Sequence, residues 1–561
     1  MNDERWGFER MLRVTNQPDM FDTVLAQIEK DRVLSRIWAH DYTVWKPDPD
    51  EITNRLGWLH VPFAMKRELS CLDTFVKRVQ ADGFTHVLLL GMGGSSLAPE
   101  TFAKVFGKAP GSLDVAVLDS THPEAVLDLE RRLDLPRTLF LLATKSGTTT
   151  ETLSFFRYFY SRVQETAGEE SVGNAFVAIT DPGSPLVEMA ARYRFRETFL
   201  NDPNIGGRYA ALSLLGLVPA ALLGVDVRTL LDRAARMALG CANQCSLRDN
   251  PAVRLGVLLG ACAREGRDKA TFIFSPAIES FGGWVEQLIA ESTGKEGTGI
   301  LPVNDEPLGP SHVYDDDRLF ISLQLPGDSA KDEQLVELER AGHPVVRIEL
   351  EDLSSLGEQF FLWELATAIA GYILKINPFD QPNVEASKIL ARKMVKAFHE
   401  TGVLPPLEAP SLTADGLLSS LSNVKRRDYI AIQAYLPPSD ELTEALTAMR
   451  IALRDRFCVA TTLGYGPRFL HSTGQMHKGD RGNGHFVQLV TDAEVDLPIP
   501  DGIGASDATL SFQTLISAQA RGDREALLNA GRAVATFAVP AERIGSILQT
   551  AMDLTGRLTD S

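Results

Sequence analysis

The chain has 561 residues, of which 44% are hydrophobic, and its formal net charge is −18. One hydrophobic core rarely serves such a length, so we expect two to four domains, and the hydrophobic content excludes a disordered protein. The negative charge gives nucleic-acid binding no electrostatic support, and a small anionic substrate would need a local positive pocket.

Cysteine usage and the N-terminus predict a cytoplasmic protein. The five cysteines are an odd, sparse set, typical of a reducing compartment without a disulfide framework. Cys241 and Cys245 are spaced like metal ligands on a helix, but no further Cys or His pair is near, so we expect buried thiols and no metal site. The charged N-terminus lacks a signal-peptide core, and the apolar stretch Tyr209–Val225 contains Pro219, which favours a core helix over a membrane span.

In chain order, the predicted elements begin with a charged, helical segment, residues 1–57. Over residues 58–230, short apolar strands alternate with helical patterns, the βαβ order of a parallel sheet with helices on both faces. The strands are predicted at His86–Leu90, Val115–Asp119, Thr138–Thr144 and Phe176–Thr180, and the helices at Pro123–Leu133 and Thr150–Val163.

A second α/β unit is predicted over residues 231–400 and a third over residues 401–561, joined by a proline-rich linker at Glu400–Gly416. The fold class is therefore α/β, with two doubly wound domains on parallel sheets and a C-terminal α/β domain. The strands are predicted at Thr271–Ser275, Leu319–Leu323, Val345–Leu350 and Asp428–Leu436, and a long buried helix at Gly357–Ile376.

A glycine-rich loop, Gly91–Ser96, follows the first strand of the first unit. Glycines at the carboxyl end of a parallel strand let backbone N–H groups approach an anion. The Gly-Lys-Ser/Thr ending of a P-loop is missing, whereas a dinucleotide fingerprint is nearly matched, with Asp119 where a ribose-binding acid would lie. Taken alone, the loop leaves open a phosphate site, a dinucleotide site and a tight turn without ligand.

A second loop, Ala143–Thr152, also follows a strand and opens a helix. Several hydroxyls at one strand end suit a phosphate monoester, whose oxygens accept several hydrogen bonds, whereas a pyrophosphate is held mainly by backbone. The alternative is an N-capped helix with solvated threonines. Because so many hydroxyl groups lie beside a glycine loop, we favour a site for a phosphate monoester. The polar side chains are those of Thr144, Lys145, Ser146, Thr148, Thr149, Thr150 and Thr152.

Polar groups also lie at the ends of later elements. Gln287 and Glu291 are four residues apart on an amphipathic helix and share one face. Arg208 follows a glycine pair, where it could cap a loop or face a developing anion, and Lys388 follows a turn-rich stretch. Taken singly, such carboxylates and lysines are usually only solvated.

Together, these segments resemble the phosphoglucose isomerase family. The resemblance is carried by GMGGSSLAP, TKSGTTTET, GGRY, EQLIAESTGKEG and NPFDQPNVEASK, which follow the family's order over roughly residues 86–390. The strings RIWAHDYTVW and LGWLHVPFAM and the C-terminal segment resemble the isomerase half of bacterial transaldolase/phosphoglucose isomerase fusion proteins. We expect the transaldolase half to be absent, because the chain begins just ahead of the isomerase-like part and leaves no room for a barrel.

The resemblance implies two sugar-isomerase (SIS)-like domains and an aldose–ketose isomerase of glycolysis and gluconeogenesis, which interconverts glucose 6-phosphate and fructose 6-phosphate through a cis-enediol. It implies that Glu291 moves a proton between C1 and C2, that Arg208 lies beside the enediol, and that Lys388 lies near the ring oxygen. The residues implied to contact the substrate are Gly94, Ser95, Thr144, Lys145, Ser146, Thr149, Thr152, Gly207, Gln287 and Gln381.

The residues fit this chemistry independently. Proton transfer between adjacent carbons requires a carboxylate with a pKa near neutral pH, the enediolate requires a cation, and a phosphate anchor positions the reacting carbons. We expect no cofactor, neither a metal nor a nicotinamide, and Asp119 becomes an ordinary strand-end acid. The expected partner is a small sugar phosphate, with no nucleic acid and no membrane. The family is commonly dimeric, but an extra domain could cover that interface, so a homodimer is left open.

The family also uses a histidine to open the pyranose ring, and two candidates are present. His312 follows the glutamate helix in chain order but precedes an acidic run. His471 lies in HSTGQ, which resembles the histidine motif of the family's bacterial branch. We favour His471, which requires the C-terminal domain to fold back over the cleft, and both stay candidates. Arg468, His477 and Lys478 could add positive charge there, or only decorate a loop.

Alternative functions also stay open. SIS-like domains serve as non-catalytic phosphosugar sensors, although the presence of Glu291, Arg208 and Lys388 disfavours that class. A nicotinamide-dependent enzyme is a third class. Among isomerases, mannose 6-phosphate could also be accepted, because this epimer differs only at the reacting centre.

Overall fold

A computed structural model describes residues 11–242, 246–540 and 542–556. The N-terminal residues 1–10 and Cys245, on which two of the sequence predictions fall, lie outside the described residues. Cys241 is buried, as predicted. In chain order the strands are β1 (Leu12–Thr15), β2 (His86–Gly91), β3 (Asp114–Leu118), β4 (Thr138–Ala143), β5 (Phe176–Thr180), β6 (Glu197–Leu200), β7 (Lys269–Phe274), β8 (Leu301–Val303), β9 (Arg318–Gln324), β10 (Val345–Glu349), β11 (Tyr429–Tyr435), β12 (Ala460–Tyr465), β13 (Gly484–Val490), β14 (Pro498–Ile499), β15 (Leu510–Ser511) and β16 (Ala533–Ala538).

The helices lie between these strands and cover the sheets. None of the described helices combines the length and the apolarity that crossing a membrane requires. In chain order they are α1 (Phe21–Lys30), α2 (Val33–Trp38), α3 (Val61–Ala64), α4 (Leu69–Ala81), α5 (Leu97–Phe106), α6 (Pro123–Arg132), α7 (Thr150–Ala167), α8 (Pro185–Arg192), α9 (Leu214–Leu223), α10 (Val227–Cys241), α11 (Pro251–Arg264), α12 (Phe281–Thr293), α13 (Asp332–Arg340), α14 (Leu356–Leu374), α15 (Val384–Thr401), α16 (Ala414–Ser420), α17 (Asp440–Phe457), α18 (Gly474–Gly479), α19 (Phe512–Asn529) and α20 (Arg543–Gly556).

The first sheet has the order β3-β2-β4-β5-β6, and all its neighbours are parallel. Chain order reverses at β2, which pairs with β3 on one side and β4 on the other. Such a switch point opens a crevice beyond the carboxyl ends of the strands, where α/β proteins bind ligands. The glycine loop after β2 and the hydroxyl loop after β4 both lie at this crevice.

Two further sheets follow. The second has the order β1-β10-β9-β7-β8 and is parallel except at β1, and the third has the order β12-β11-β13-β16 and is parallel throughout. Strands β14 and β15 form a separate antiparallel pair. The predicted α/β class with parallel sheets is confirmed. The division into residues 1–57, 58–230, 231–400 and 401–561 stays a prediction; apart from β1, each large sheet lies within one of those units.

The N-terminal segment differs from the prediction of a wholly helical region. Strand β1 pairs antiparallel with β10, from Leu12 opposite Ile348 to Thr15 opposite Val345. Four residues are too few to show a strand period, and β1 is stabilised by this distant partner and by the complete burial of Leu12.

The C-terminal unit packs against the first unit. Phe155 of α7 stacks on Phe512 of α19, with ring centroids 5.9 Å apart. Helix α15 lies along α19 so closely that a Cβ on Gly522 would be 2.6 Å from the Ala391 nitrogen. The C-terminal unit therefore packs against both the first unit and α15 of the second. It also reaches the crevice of the first sheet, as the choice of His471 requires, because a Cβ on Gly93 of the glycine loop would lie 2.7 Å from the His471 carbonyl oxygen.

Candidate active site

The glycine loop approaches two other segments closely. Gly93 has a φ of +56°, and a Cβ on it would lie 2.7 Å from the His471 carbonyl oxygen and 2.9 Å from Gln287 Nε2. A Cβ on Gly94 would overlap the Gly207 carbonyl. These positions require glycine because the loop, the Gly207–Arg208 turn, α12 and the His471 turn meet here. Ser95, in the same loop, is buried.

The hydroxyl loop keeps its side chains together at the start of α7. Thr144 and Thr149 hydroxyls are 2.8 Å apart, and Ser146 and Thr148 hydroxyls are 3.0 Å apart. Thr152 is fully buried, and its Oγ1 has no hydrogen-bond partner among the described residues. Buried hydroxyls are normally paired, so this group is suited to donate to a ligand.

The Lys145 side chain is bonded to groups outside the hydroxyl loop. Its ammonium group bonds the Asp181 carboxylate and donates to the Pro203 carbonyl at 2.8 Å. The loop therefore offers a ligand its hydroxyl groups, whereas the ammonium group of Lys145 is already paired with Asp181, which follows strand β5.

Arg208 is held rigidly beside the acid helix α12. Its side chain is 2% exposed, its Nε donates to Ser292 Oγ at 2.8 Å, and its Nη1 donates to Gln381 Oε1 at 2.7 Å. Its Nη2 donates to the carbonyls of Pro378 and Asp380, both at 2.8 Å. The predicted contact residue Gln381 is thus bonded to the predicted cation.

Glu291 lies next to this guanidinium. Its Oε1 is 3.6 Å from Arg208 Nη1, and its Oε2 accepts a hydrogen bond of 3.0 Å from Gln287 Nε2. The same Gln287 nitrogen donates to the His471 carbonyl at 2.9 Å, and Gln287 Oε1 is buried without a hydrogen-bond partner among the described residues. Gln287 therefore links the acid–arginine pair to the histidine turn.

Lys295 is a buried cation that the sequence reasoning missed. Its Nζ donates to the carbonyl oxygen of Asp380 at 2.5 Å and to its carboxylate at 2.6 Å. Burial, together with the nearby Arg208 charge, lowers the pKa of Lys295 to about 8. Lys295 follows Glu291 within the string EQLIAESTGKEG, and this string was the only sequence feature that could have indicated a role for it.

His471 is hydrogen-bonded to Glu151. Its Nε2 lies 3.1 Å from Glu151 Oε1, and Gln519 Nε2 donates to the same oxygen at 2.7 Å. Burial would raise the pKa of Glu151, but the charge and hydrogen bond of His471 outweigh it and lower that pKa overall. Glu151 lies in the string TKSGTTTET, whereas nothing in the sequence pattern indicated Gln519.

A cavity of about 350 Å³ lies between the hydroxyl loop, α15 and the His471 turn, and neither Arg208 nor Glu291 is among its lining residues. It is lined by Ser146 and Thr149 of the hydroxyl loop, by Lys388 of α15 and by His471. Lys388 is half-buried, and its Nζ is 3.8 Å from Glu385. The volume suits a small ligand. A larger cavity of about 1070 Å³ runs along β3 and has no predicted site residue in its lining.

The other predicted cations and the second histidine lie elsewhere. His312 is exposed on a short turn, Ser311–Val313, outside the cavity lining. Arg468 is paired with Glu100 and Asp119. Lys478 bonds Asp523 at 2.6 Å, and burial lowers the pKa of His477 far below its ordinary value. Two groups of predicted side chains result: Arg208, Gln287, Glu291 and Gln381 contact one another, and Ser146, Thr149, Lys388 and His471 line the cavity. Gln287 joins the two groups through the His471 carbonyl, whereas Lys145 and His312 belong to neither group.

Comparison with known proteins identifies a family that this chain resembles. Residues 72–300 match the family model described as phosphoglucose isomerase. The matched range includes the glycine loop, the hydroxyl loop, Arg208 and Glu291, and ends before Lys388 and His471. A glucose-6-phosphate isomerase from Methanocaldococcus jannaschii is 27% identical over 56% of this chain and 85% of its own. A probable glucose-6-phosphate isomerase from Haloarcula marismortui is 29% identical over 57% of this chain and 81% of its own.

Two solved structures share the fold. A hypothetical protein from Thermus thermophilus superposes with a TM-score of 0.59 and 24% identity, covering 69% of this chain and all of its own. A glucose-6-phosphate isomerase from Chlamydia trachomatis gives a TM-score of 0.58 and 19% identity over 68% of this chain and 86% of its own. The resemblance predicted from the sequence strings is confirmed.

Proposed function

We propose that this chain, with its phosphoglucose isomerase domain at residues 72–300, interconverts glucose 6-phosphate and fructose 6-phosphate. The observation that carries the proposal is the pairing of Glu291 with Arg208, 3.6 Å apart and linked through Gln287 to the turn of His471. A phosphate-binding loop, a carboxylate, a fixed cation and a histidine are the groups that aldose–ketose isomerisation requires.

The phosphate group would bind the hydroxyl loop. Ser146 and Thr149 line the cavity, and Thr152 has an unpaired buried hydroxyl among the described residues. Binding energy at the phosphate then positions C1 and C2 without being part of the chemical step. Lys388 lines the same cavity, and we expect it to approach the ring oxygen of the bound sugar.

Ring opening and proton transfer would use different groups. His471, held by Glu151, exchanges a proton with the ring oxygen and the anomeric hydroxyl, and opens the pyranose. Glu291 then removes the proton from C2 of the aldose and returns it to C1 through a cis-enediol. Arg208, whose guanidinium is fixed by four hydrogen bonds, stabilises the enediolate oxygens without reorganising.

The test is a coupled assay that measures glucose 6-phosphate formed from fructose 6-phosphate. We expect turnover by the wild type and loss of turnover in Glu291→Gln, with Glu296→Gln as the matched control because that carboxylate is half-exposed and paired with Lys46. Binding of fructose 6-phosphate without turnover would identify a sensor instead. Binding of a reduced nicotinamide cofactor, detected by a change in the cofactor's fluorescence, would indicate a nicotinamide-dependent enzyme.

Finer properties belong to the same proposal. Whether mannose 6-phosphate is a second substrate is tested by replacing fructose 6-phosphate with it in the coupled assay and measuring the glucose 6-phosphate formed. A cytoplasmic location is supported by Cys71, Cys241, Cys262 and Cys458, which are all free thiols. A homodimer stays a prediction, and the single chain already contains both Glu291 and His471.

A further inference from the structure

Gln519, on α19 of the C-terminal unit, joins two segments of the first unit. Its side-chain oxygen accepts a hydrogen bond of 2.7 Å from Thr121 Oγ1, and its Nε2 donates to Glu151 Oε1 at 2.7 Å. The carboxylate of Glu151 can only accept, so the amide nitrogen must face it and the amide oxygen must face Thr121. Gln519 and Thr121 are 4% and 0% exposed, and Gln519 lines the cavity beside Glu151.

Glu151 receives two donors on one oxygen. Gln519 Nε2 and His471 Nε2 both bond Oε1, at 2.7 and 3.1 Å. Lys388 of α15 also faces this carboxylate and favours its charged form. A carboxylate fixed in this way keeps the proton of a neutral imidazole on the nitrogen that faces it and leaves the other nitrogen as an acceptor.

We propose that Gln519 is a positioning residue: it orients the Glu151 carboxylate and thereby fixes the proton of His471 on Nε2. Both ends of its amide are occupied by protein groups, so it acts through Glu151. The C-terminal unit thus contributes His471 and also the group that orients its partner. The catalytic consequence rests on the proposed function, whereas the effect on the imidazole does not.

The first experiment reads the imidazole directly. Nitrogen-15 chemical shifts of His471 report its tautomer and its titration in the unliganded protein. In Gln519→Met, which keeps the shape but removes the donor, we expect the Nε2–H form to lose its dominance. In Gln519→Glu, whose charged carboxylate cannot donate to Glu151, we expect the wild-type His471 spectrum to be lost as well. Wild-type tautomer and titration in both variants would overturn the proposal.

The matched control is Gln488→Met. Gln488 is fully buried on β13, donates to the Ala520 carbonyl at 3.2 Å and accepts from Thr536 Oγ1 at 3.2 Å. It undergoes the same chemical change beside α19 without reaching Glu151. We expect its His471 spectrum to match the wild type; the same tautomer shift in this control would also overturn the proposal, since it would assign the effect to general loosening of α19.

Turnover separates this proposal from the proposed function. Loss of one hydrogen bond to a charged group should lower kcat of Gln519→Met about tenfold, while that of Gln488→Met stays near the wild type. Unchanged turnover together with a shifted tautomer would support the positioning role and contradict the ring-opening role of His471. If the wild type proves to have no isomerase activity, the nitrogen spectra still decide the role of Gln519.

Discussion

Arg208→Lys tests whether a rigid guanidinium, rather than a positive charge alone, serves the site. The wild-type side chain is 2% exposed and makes four hydrogen bonds of 2.7 to 2.8 Å, all of which a single ammonium group cannot keep. Loss of one preorganised donor to a developing oxyanion usually lowers kcat about 10²–10³-fold, or roughly 3–4 kcal/mol. We therefore expect a fall of at least about 100-fold in kcat, with KM changed only a few-fold because the hydroxyl loop is untouched.

Arg318→Lys is the matched control for this substitution. Arg318 is 1% exposed and bonds Glu306 and Thr271, so its replacement also disturbs a buried ion pair, but one remote from the cavity lining. Both variants should lose about 2–4 kcal/mol of stability, measured by urea unfolding, and only Arg208→Lys should lose turnover in the coupled assay. Wild-type kcat in Arg208→Lys, or an equal loss of kcat in both variants, would refute the reasoning.

The remaining predictions concern a hydroxyl, two histidines and a buried lysine. Thr152→Val removes a buried hydroxyl that is unpaired among the described residues. The substitution should stabilise the unliganded protein by about 1 kcal/mol and raise KM for fructose 6-phosphate several-fold. A fall in thermal stability with unchanged KM would contradict this prediction. His471→Ala should lower turnover about 100-fold, whereas His312→Ala should leave turnover unchanged. A mixture of the His471→Ala and Glu291→Gln proteins should regain no activity, because one chain contains both groups. Recovery of activity in the mixture would mean that the site is shared between chains. The pKa of Lys295 falls from 10.5 in the unfolded chain to about 8 in the folded protein, so the unfolded chain binds more protons between those pH values. The stability of the wild type relative to Lys295→Met should therefore rise with pH across that window. An equal difference in unfolding free energy between the two proteins at pH 8 and at pH 10.5, measured by urea unfolding, would exclude the shift.

Local apolar runs predicted the sheets well, whereas short or partly polar strands were missed. Strand β5 occupies Phe176–Thr180 as predicted, and β2 and β4 differ from their predicted ends by one residue. Strand β6 begins with Glu197 and β8 has three residues, so neither shows a strand period of its own. Both are stabilised by a neighbour, β5 and β7, which only the folded chain supplies.

The site divides in the same way. Its sequence strings located the glycine loop, the hydroxyl loop and the Glu291 helix, because each is contiguous. The direction of a side chain was not predictable: Lys145 turns to Asp181, 36 residues away in the chain. The contact of Glu151 with Gln519 spans 368 residues and depends on the C-terminal unit folding back, which no local pattern encodes.

A crystal structure with a linear five-carbon phosphosugar acid, an analogue of the enediolate, tests the central claim most directly. The account predicts the phosphate against Ser146 and Thr149, the carboxylate of the ligand against Arg208, and Glu291 within reach of the two carbons that react. A phosphate bound away from the hydroxyl loop, or a ligand carboxylate remote from Arg208 and Glu291, would contradict it.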